Sequence, residues 1–306
     1  MTAIATLQHA AVNRRDLTKS ITQSELNLFK SPRRFVNEKP LQEGSTAVVS
    51  KAYDTKYCQD VALKRMDMDR FTNQRVKEYI VGKAIGDHPN VVTTYEKLYN
   101  HRTREVCLVM ECCDGGDLVD ILASRDQGFD RDEFISLAEQ LAGGLSHIHS
   151  KGIAHRDIKS DNISLSTEDG QAKILDFGES QFITEPANNL KSGTLPYMAP
   201  ELVTAIERRI NSPDSVDRVP LDLLKTDVWA MGITFYSMIT SQIPFAVASQ
   251  RDSGFRNYLR ENILGSYEVW AAVDDNIRML LENMCELDPV LRWTMDEVVE
   301  YLSQLQ

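Results

Sequence analysis

The chain has 306 residues, of which 42% are apolar and 26% charged, the proportions of an ordinary globular protein. Its 34 basic and 45 acidic residues leave a net charge of −11, which argues against general binding to nucleic acid or anionic lipid, since both require a basic surface. No apolar run approaches the roughly 20 residues that cross a bilayer, so we expect no membrane span. Five cysteines without a C-x-x-C pair, and the lack of a secretory signal, favour an intracellular protein, with the cytoplasm expected and the nucleus left open.

The first 33 residues differ in texture from the rest of the chain. They are polar and mixed, so we expect residues 1–33 to form a flexible N-terminal extension. An amphipathic targeting segment is the alternative, although its basic residues follow its apolar part, unlike those of a secretory peptide. From Phe35 onward, short runs rich in Val, Leu and Tyr predict β-strands, interrupted by one helix at Asn73–Ile85. The strands are expected at 35–41, 46–52, 61–63, 91–95 and 106–110.

Beyond Gly116 the sequence pattern becomes helical. Apolar residues recur at spacings of three and four and predict one helix face, formed by Phe134, Leu137, Leu141, Leu145 and Ile148. The stretch 228–239 is apolar nearly all round, as in a buried helix, and further helices are expected at 276–285 and 295–305. The chain therefore divides near 111–117 into a small β-rich part and a larger α-rich part, an α+β arrangement with a cleft suited to a ligand.

Four short motifs occur in order along the chain. They are Val61-Ala62-Leu63-Lys64, the run HRDIKSDN at 155–162, Asp176-Phe177-Gly178 after a strand-like 172–175, and GTLPYMAPE at 193–201. In this order they resemble the eukaryotic-type serine/threonine protein kinase family, from about Phe35 to the C-terminus. The resemblance implies one bilobal protein-kinase-like domain at 34–306. Its expected parts are a small β-rich N-lobe at 34–111, a hinge at 111–117 and a larger α-helical C-lobe at 118–306.

The resemblance also implies an activity, the transfer of the γ-phosphoryl group of ATP to a Ser or Thr hydroxyl of a protein substrate. Asp157 would accept the proton of that hydroxyl, and Lys159 would lie beside the transferring phosphate. Lys64 would hold the α- and β-phosphates of ATP. It would be fixed by Glu78, the only acid in the predicted helical stretch between Phe71 and Gly86.

Magnesium and nucleotide contacts follow from the same resemblance, so ATP and Mg²⁺ are the expected cofactors. Asn162 and Asp176 would bind Mg²⁺ through oxygen atoms, which this hard cation prefers. Glu111 and Cys113 would meet the adenine edge through backbone groups. The residues expected to contact the nucleotide, besides Lys64, are Leu41, Gly44, Val49, Ala62, Met110, Glu111, Cys113 and Asp117.

The phosphate-binding loop departs from the family pattern. The expected G-x-G-x-x-G-x-V falls on residues 42–49, where only Gly44 is kept and Gln42 and Ala47 replace the flanking glycines. Because glycine permits a positive φ and a close approach of the backbone to phosphate, we expect a stiffer loop that tunes nucleotide affinity. A catalytically weak or dead kinase-like scaffold is therefore one alternative, and a small-molecule phosphotransferase of related fold is another.

Several residues are expected to support the site rather than to act in catalysis. Glu201 would form a buried ion pair with Arg292. The carboxylate of Asp227 would accept hydrogen bonds from the backbone around 155–156. The hydroxyl of Thr194 would contact the catalytic Asp and Lys.

The segment that follows Asp-Phe-Gly carries the expectations about regulation and partners. Its hydroxyl residues are Ser180, Thr184, Ser192 and Thr194. The resemblance implies that Leu190 stands where many relatives carry the phosphorylated residue, so we expect activity without a loop phosphate, with Thr184 or Ser192 as the alternative site of phosphorylation. The stretch between Glu201 and Asp227 is longer than the resemblance implies. Within it, 206–220 predicts an inserted surface loop, which is either a contact for a substrate or regulatory partner or a tolerated insertion.

Overall fold

The structure is a computed structural model, in which two compact units are described. It describes residues 34–43, 47–67, 73–100, 102–166, 170–186, 190, 192–211 and 221–305. The predictions for residues 1–33, for Gly44 and for 212–220 lie outside this part of the chain. One unit holds the described residues of Met1–Arg70 and Lys97–Val109, and the other holds those of Phe71–Glu96 and Met110–Gln306. Among the described helices, none has the length and apolar character needed to cross a membrane.

A five-stranded sheet contains four of the five strands predicted for the N-terminal part of the chain and the end of the other one. Its strand order is β1-β2-β3-β5-β4, and β2 pairs antiparallel with both β1 and β3. The strands are β1 (Phe35–Glu43), β2 (Val48–Asp54), β3 (Gln59–Asp67), β4 (Thr94–Asn100) and β5 (Glu105–Glu111).

The fourth predicted strand, at 91–95, is displaced in the structure. β4 begins only at Thr94, whereas Val91 and Val92 form bridging contacts, in which the Val92 N–H donates to the carbonyl of Ile174 at 3.0 Å. Both valines are buried and belong to the core of the second unit. The apolar character of these residues correctly indicated that they are buried. A short apolar run is a weaker guide to whether the buried segment is a strand.

A buried ion pair fixes the ends of β1 and β2 in the first unit. Arg34 Nε and Nη2 donate to the two carboxylate oxygens of Asp54 at 2.9 and 2.7 Å, and the side chains are 5% and 0% exposed. Because neither charge could be buried alone at low cost, the pair favours the register in which Phe35 lies opposite Asp54.

The second unit is helical, with two pairs of short strands. β6 (Ile153–Ala154) pairs with β9 (Gln181–Phe182), and β7 (Ile163–Leu165) pairs with β8 (Ala172–Ile174). The described helices are α1 (Asn73–Ile85), α2 (Leu118–Ala123), α3 (Arg131–Ser150), α4 (Pro200–Asn211), α5 (Leu223–Thr240), α6 (Ser253–Glu261), α7 (Tyr267–Ala271), α8 (Asp275–Met284) and α9 (Met295–Leu302). The helices predicted from periodicity are confirmed within a few residues at their ends.

Helices α3 and α5 form the centre of the core. α3 begins with a capping box of Asp130 and Glu133, and the five apolar residues predicted for its inner face are all buried. α5 follows the N-cap residue Asp222 and therefore begins five residues before the start predicted from the apolar stretch 228–239. It is buried nearly all round. These two helices hold the loops that carry the motif residues, as described below.

The predicted surface loop at 206–220 is wrong in its first part. Residues 206–211 continue α4, in which the carboxylate of Glu207 accepts a hydrogen bond from Ser249 at 3.1 Å. Residues such as Glu207, Arg208 and Arg209 favour helix formation, and α4 therefore continues to Asn211. The length and the prolines of the stretch 206–220 had predicted a loop there instead.

Candidate active site

The loop that carries Asp157 runs from β6 to a 3₁₀ turn at Ser160–Asn162. The buried carboxylate of Asp227, on α5, accepts hydrogen bonds from the backbone N–H groups of His155 and Arg156, both at 2.7 Å. This confirms the predicted support. Arg156 has a φ of +71°, a left-handed conformation that a non-glycine residue keeps only where surrounding contacts hold it.

Three polar side chains surround the carboxylate of Asp157. Thr194 Oγ1 donates to Asp157 Oδ1 at 2.9 Å and accepts from Lys159 Nζ at 2.9 Å. Lys159 Nζ also lies 3.1 Å from Asp157 Oδ2, to which the side-chain amide of Asn162 donates at 3.0 Å. The predicted contacts of Thr194 are confirmed. The arrangement orients a carboxylate next to a cation, as acceptance of a proton beside a transferring anionic group requires.

The Asp-Phe-Gly motif follows β8 and turns sharply. Asp176 has a φ of +61°, its side chain is exposed, and its Oδ1 accepts from the N–H of Gly178 at 3.0 Å. Phe177 is 2% exposed and packs edge-on against the ring of His155 at 5.8 Å between centroids. Both ring nitrogens of His155 lie within hydrogen-bond distance of backbone groups, Leu175 O at 2.9 Å and Asp157 N at 3.3 Å. His155 is thus a structural residue.

Glu78 lies on the inner face of α1 and is 4% exposed. Its Oε2 is 3.8 Å from the point where a Cβ on Gly178 would stand, so its carboxylate lies close to the Asp-Phe-Gly turn. Its predicted partner, Lys64, belongs to β3 in the other unit, and the pairing of the two stays a prediction.

The predicted nucleotide contacts of the first unit lie on neighbouring strands. Lys64 and Val49 are direct cross-strand partners in the β2–β3 pair, and Ala62 lies two residues from Lys64 on the same strand. Side chains with this placement share one face of a sheet. Leu41 is 47% exposed and lies in β1, at the register shift between Pro40 and Gln42. Gly44 lies outside the described residues.

The predicted hinge residues begin at the end of β5. Met110 is half-buried against the apolar core of the second unit. The N–H of Glu111 donates to Thr93 O at 2.9 Å, so of its two backbone groups the carbonyl is the one suited to an adenine amino group. The carboxylate of Glu111 accepts from Thr93 N at 3.1 Å and pairs with Lys173 Nζ at 2.9 Å, which fixes this residue to β8.

Cys113 and Asp117 are the next residues of the predicted hinge. Burial raises the pKa of the Cys113 thiol to about 12, so the thiol is neutral at neutral pH and is a poor nucleophile. The carboxylate of Asp117 accepts from Asp120 N at 2.8 Å and caps α2. This capping role was missed, although an Asp before an apolar run is a recognised helix-start signal.

The predicted Glu201–Arg292 pair is confirmed and is bidentate. Arg292 Nη1 and Nη2 donate to the two carboxylate oxygens of Glu201 at 2.7 and 3.0 Å, and Arg292 is 1% exposed. The guanidinium also donates to Lys225 O at 2.9 Å and to Glu286 O at 2.8 Å. It therefore joins the start of α4, the first turn of α5 and the loop after α8.

The hydroxyl residues of the segment after Asp-Phe-Gly are in different environments. Ser180 and Ser192 are each 3% exposed, and the hydroxyl of Ser180 donates to His155 O at 3.2 Å. Thr184 is exposed in the turn after β9. Leu190 is half-buried and packs against a small apolar cluster at α4. Thr184 is thus the accessible hydroxyl among the described residues of 180–192.

Three residues that the sequence did not single out connect this segment to its surroundings. Arg156 Nη1 donates to Gln181 Oε1 at 2.7 Å, and Gln181 Nε2 donates to Glu185 O at 2.9 Å. The Glu185 carboxylate lies 2.5 Å from Lys77 Nζ on α1. Burial lowers the pKa of Arg156, while the nearby carboxylates act in the opposite direction. No local sequence signal marks Gln181, Glu185 or Lys77.

Comparison with known proteins agrees with this geometry. A family model described as "Protein kinase domain" matches residues 35–302. Sperm motility kinase 2B from Mus musculus is 32% identical over 217 residues, which cover 70% of this chain and 40% of that protein. Serine/threonine-protein kinase cds1 from Schizosaccharomyces pombe is 30% identical over 302 residues, 94% of this chain and 60% of that protein. Serine/threonine-protein kinase pakA from Talaromyces marneffei is 32% identical over 223 residues, 71% of this chain and 31% of that protein.

The match extends over most of the chain but over less than two thirds of each of these relatives. The chain spans 40%, 60% and 31% of the lengths of the three proteins named above. The family model covers the sheet, the loop of Asp157, the Asp-Phe-Gly turn and the helices that hold them. The chain therefore belongs to the protein kinase family.

Proposed function

We propose that the chain is an active serine/threonine protein kinase that transfers the γ-phosphoryl group of ATP, with Mg²⁺, to a hydroxyl of a protein substrate. The observation that carries the proposal is the cluster at Asp157, in which Thr194, Lys159 and Asn162 each contact its carboxylate within 3.1 Å. A carboxylate oriented by three donors can accept the proton of an incoming hydroxyl while Lys159 stabilises the negative charge that develops beside it.

Asn162 and Asp176 fit the binding of Mg²⁺. Asn162 uses its amide nitrogen for the carboxylate and the carbonyl of Asp157, which leaves its amide oxygen as the group that can bind a cation. Asp176 is exposed and uses Oδ1 for the N–H of Gly178. Both offer oxygen, the ligand that Mg²⁺ prefers, and nucleotide phosphates and water would complete its coordination. When bound, the ion neutralises charge on the phosphates.

Residues of both units are proposed to bind the nucleotide. Lys64 would attract the α- and β-phosphates, with Val49 and Ala62 on the same sheet face providing apolar contact for the base. The carbonyl of Glu111 and the backbone of Cys113 would bind the adenine edge. Because the N–H of Glu111 is already bonded to Thr93, we assign its carbonyl as the acceptor.

A catalytically weak or dead scaffold is the competing function, and the phosphate-binding loop favours it. Gln42 lies in β1 opposite Val49, and Ala47 lies just before β2, at positions where the family pattern has glycine. A side chain there restricts the close approach of backbone N–H groups to phosphate. The charged residues Lys64, Asp157 and Asp176 are nevertheless all present, and they supply most of the stabilisation in phosphoryl transfer.

A transfer assay separates these functions. The wild-type chain, Asp157→Asn, Asp176→Asn and the control Asp126→Asn are incubated with labelled ATP, Mg²⁺ and a panel of proteins. Asp126 is exposed beyond α2, outside the site. We expect transfer to Ser or Thr in the wild type and the control, and a loss of about 10²-fold or more in the other two variants.

Three outcomes would contradict the proposal. Binding of ATP without transfer to any protein would indicate the scaffold, and transfer only to a small-molecule acceptor would indicate a phosphotransferase of another kind. Equal transfer by wild type and Asp176→Asn would show that the activity comes from a contaminant.

The partners and the cellular location of the protein are also proposals, and each depends on one or two observations. Protein substrates follow from the family, and a regulatory partner is proposed for the segment that begins at residue 206. Ile210, near the end of α4, is 62% exposed and is the described residue of that segment best suited to an apolar contact. An intracellular location is proposed because the five cysteines of the sequence include no C-x-x-C pair and no even set that a disulfide framework requires.

A further inference from the structure

A chain of polar contacts connects the loop of Asp157 to α1 through the segment that follows Asp-Phe-Gly. It begins at Arg156, the neighbour of Asp157, whose Nη1 lies 2.7 Å from Gln181 Oε1. Arg156 is a half-buried cation, and such a group needs acceptors to offset the loss of water. One acceptor is the neutral amide of Gln181, and the carboxylates of Glu179 and Asp227 also favour the charged form of the guanidinium.

Gln181 is held on both sides. It is 3% exposed in β9, opposite Ala154 of β6, and its Nε2 donates to Glu185 O at 2.9 Å. Its amide oxygen therefore faces a donor and its amide nitrogen faces an acceptor, which defines one orientation of the side chain. Arg156 and the turn that contains Glu185 are thereby connected through one residue.

Glu185 extends the connection to α1. Its carboxylate lies 2.5 Å from Lys77 Nζ, with the two side chains 45% and 24% exposed. Lys77 immediately precedes Glu78, whose buried carboxylate lies close to Gly178. A restraint on Lys77 is thus a restraint on the turn of α1 that presents Glu78.

We propose that Gln181 and Glu185 are positioning residues that do the work of a phosphate on this segment, so that the kinase transfers phosphate without being phosphorylated there. A loop phosphate would give Arg156 an acceptor and supply a negative charge to neighbouring basic groups. In this chain the amide of Gln181 provides the acceptor and the carboxylate of Glu185 provides the charge. This inference rests on the proposed function.

The hydroxyl residues near the contacts support the same conclusion. Ser180 is buried and already donates to a backbone carbonyl, and Ser192 is equally buried, so a kinase could modify either only after local opening. Leu190, three residues before Gly193, has no hydroxyl to modify. Thr184 is exposed, and its neighbour Glu185 already provides a negative charge at that turn.

The test compares phosphatase-treated full-length variants, with removal of phosphate checked by mass spectrometry. The variants are Gln181→Leu, Glu185→Gln, Lys77→Glu, the exchange Lys77→Glu with Glu185→Lys, and the control Asp60→Asn. Asp60 makes the same kind of ion pair, with Lys51 at 2.9 Å, and its 47% exposure nearly equals that of Glu185. The control thus repeats the carboxyl-to-amide change in an ion pair of the first unit.

We expect dephosphorylated wild type to keep its kcat. Glu185→Gln and Lys77→Glu should lower kcat by roughly three- to fivefold at an unchanged KM for the protein substrate, the range for a partly exposed pair. Gln181→Leu should lower kcat by about tenfold or more, because it leaves the Arg156 guanidinium without this acceptor. The exchange variant should recover most of the activity, and Asp60→Asn should match the wild type.

Three results would overturn the inference while leaving the proposed function intact. They are loss of wild-type activity on phosphatase treatment, unchanged kcat in Glu185→Gln, and failure of the exchange to restore a loss caused by Lys77→Glu. If the wild type transfers no phosphate, the proposed function fails, and hydrogen exchange of α1 still decides the inference. Faster exchange at Asn73–Ile85 in Glu185→Gln than in Asp60→Asn would support it, and equal exchange would overturn it.

Discussion

Removal of Glu201 should destabilise the fold strongly, because it leaves a buried guanidinium with its charge uncompensated. Arg292 makes four polar contacts, two of them to Glu201 at 2.7 and 3.0 Å. Breaking a fully buried ion pair costs about 3–5 kcal/mol. Because Glu201 is 16% exposed, water can partly replace it, so we expect Glu201→Ala to cost about 3 kcal/mol in the free energy of unfolding.

The hydrogen bonds from Arg292 to backbone carbonyls limit the loss of stability expected for the conservative substitution Glu201→Gln. The guanidinium keeps its bonds to the backbone oxygens of Lys225 and Glu286 in any Glu201 variant. Glu201→Gln retains one acceptor oxygen for Arg292 and should therefore lose about half as much stability as Glu201→Ala.

Thermal unfolding measures this difference directly. At about 2–4 °C per kcal/mol, Glu201→Ala should melt roughly 6–12 °C below the wild type and Glu201→Gln roughly 3–6 °C below it. Glu300→Ala, a change at an exposed residue of α9, is the control and should melt with the wild type. If the melting temperatures of Glu201→Ala and Glu300→Ala agree within about 1 °C, the buried pair does not stabilise the fold as argued.

Three further perturbations test other parts of the structure. Thr194→Val should lower kcat by about tenfold because the hydroxyl that joins Asp157 and Lys159 is lost, whereas Thr194→Ser should keep most of the activity; equal rates for the two variants would contradict this. In a thiol-labelling assay read by mass spectrometry, exposed Cys58 should react in the folded protein, whereas Cys285, whose pKa burial raises to about 12, should react only after denaturation. Burial and the neighbouring His147 lower the pKa of His88, so its neutral form contributes stability that is complete above about pH 6.5 and is lost as the pH falls through the lowered pKa. The melting temperature of the wild type should therefore fall more steeply below about pH 6.5 than that of His88→Asn, and parallel curves would refute this.

The sequence predicted the elements whose signal is local. The apolar spacing of three and four along α3 is such a signal, and so is the nearly continuous apolar run of α5, because each reports directly on burial. Order and spacing of the four motifs located Asp157 and the residues around it. The displaced fourth strand shows the limit, since Val91 and Val92 have the composition of a strand and instead fill the helical core.

Contacts between distant parts of the chain were predicted only where the family pattern names both partners. Glu201 and Arg292 are such a pair, and the structure confirms it. The ion pair of Lys77 and Glu185 was not predicted, because a Lys on a helix and a Glu in a turn are both common. Such residues form an ion pair only when the fold brings them together. Local patterns do not encode that placement.

The departures from the family pattern share a physical theme. Gln42 and Ala47 stand where flexible glycines would approach a phosphate, and Leu190 stands where a phosphorylated hydroxyl would be. Meanwhile the ionic groups that phosphoryl transfer itself requires are kept. If Gln181 and Glu185 do the work of a phosphate, as proposed, then fixed contacts such as that of the Gln181 amide with Arg156 need no modification to form. Since a permanent amide or carboxylate cannot be removed by a phosphatase, control of this kinase would have to act on its nucleotide loop, its substrates or its partners.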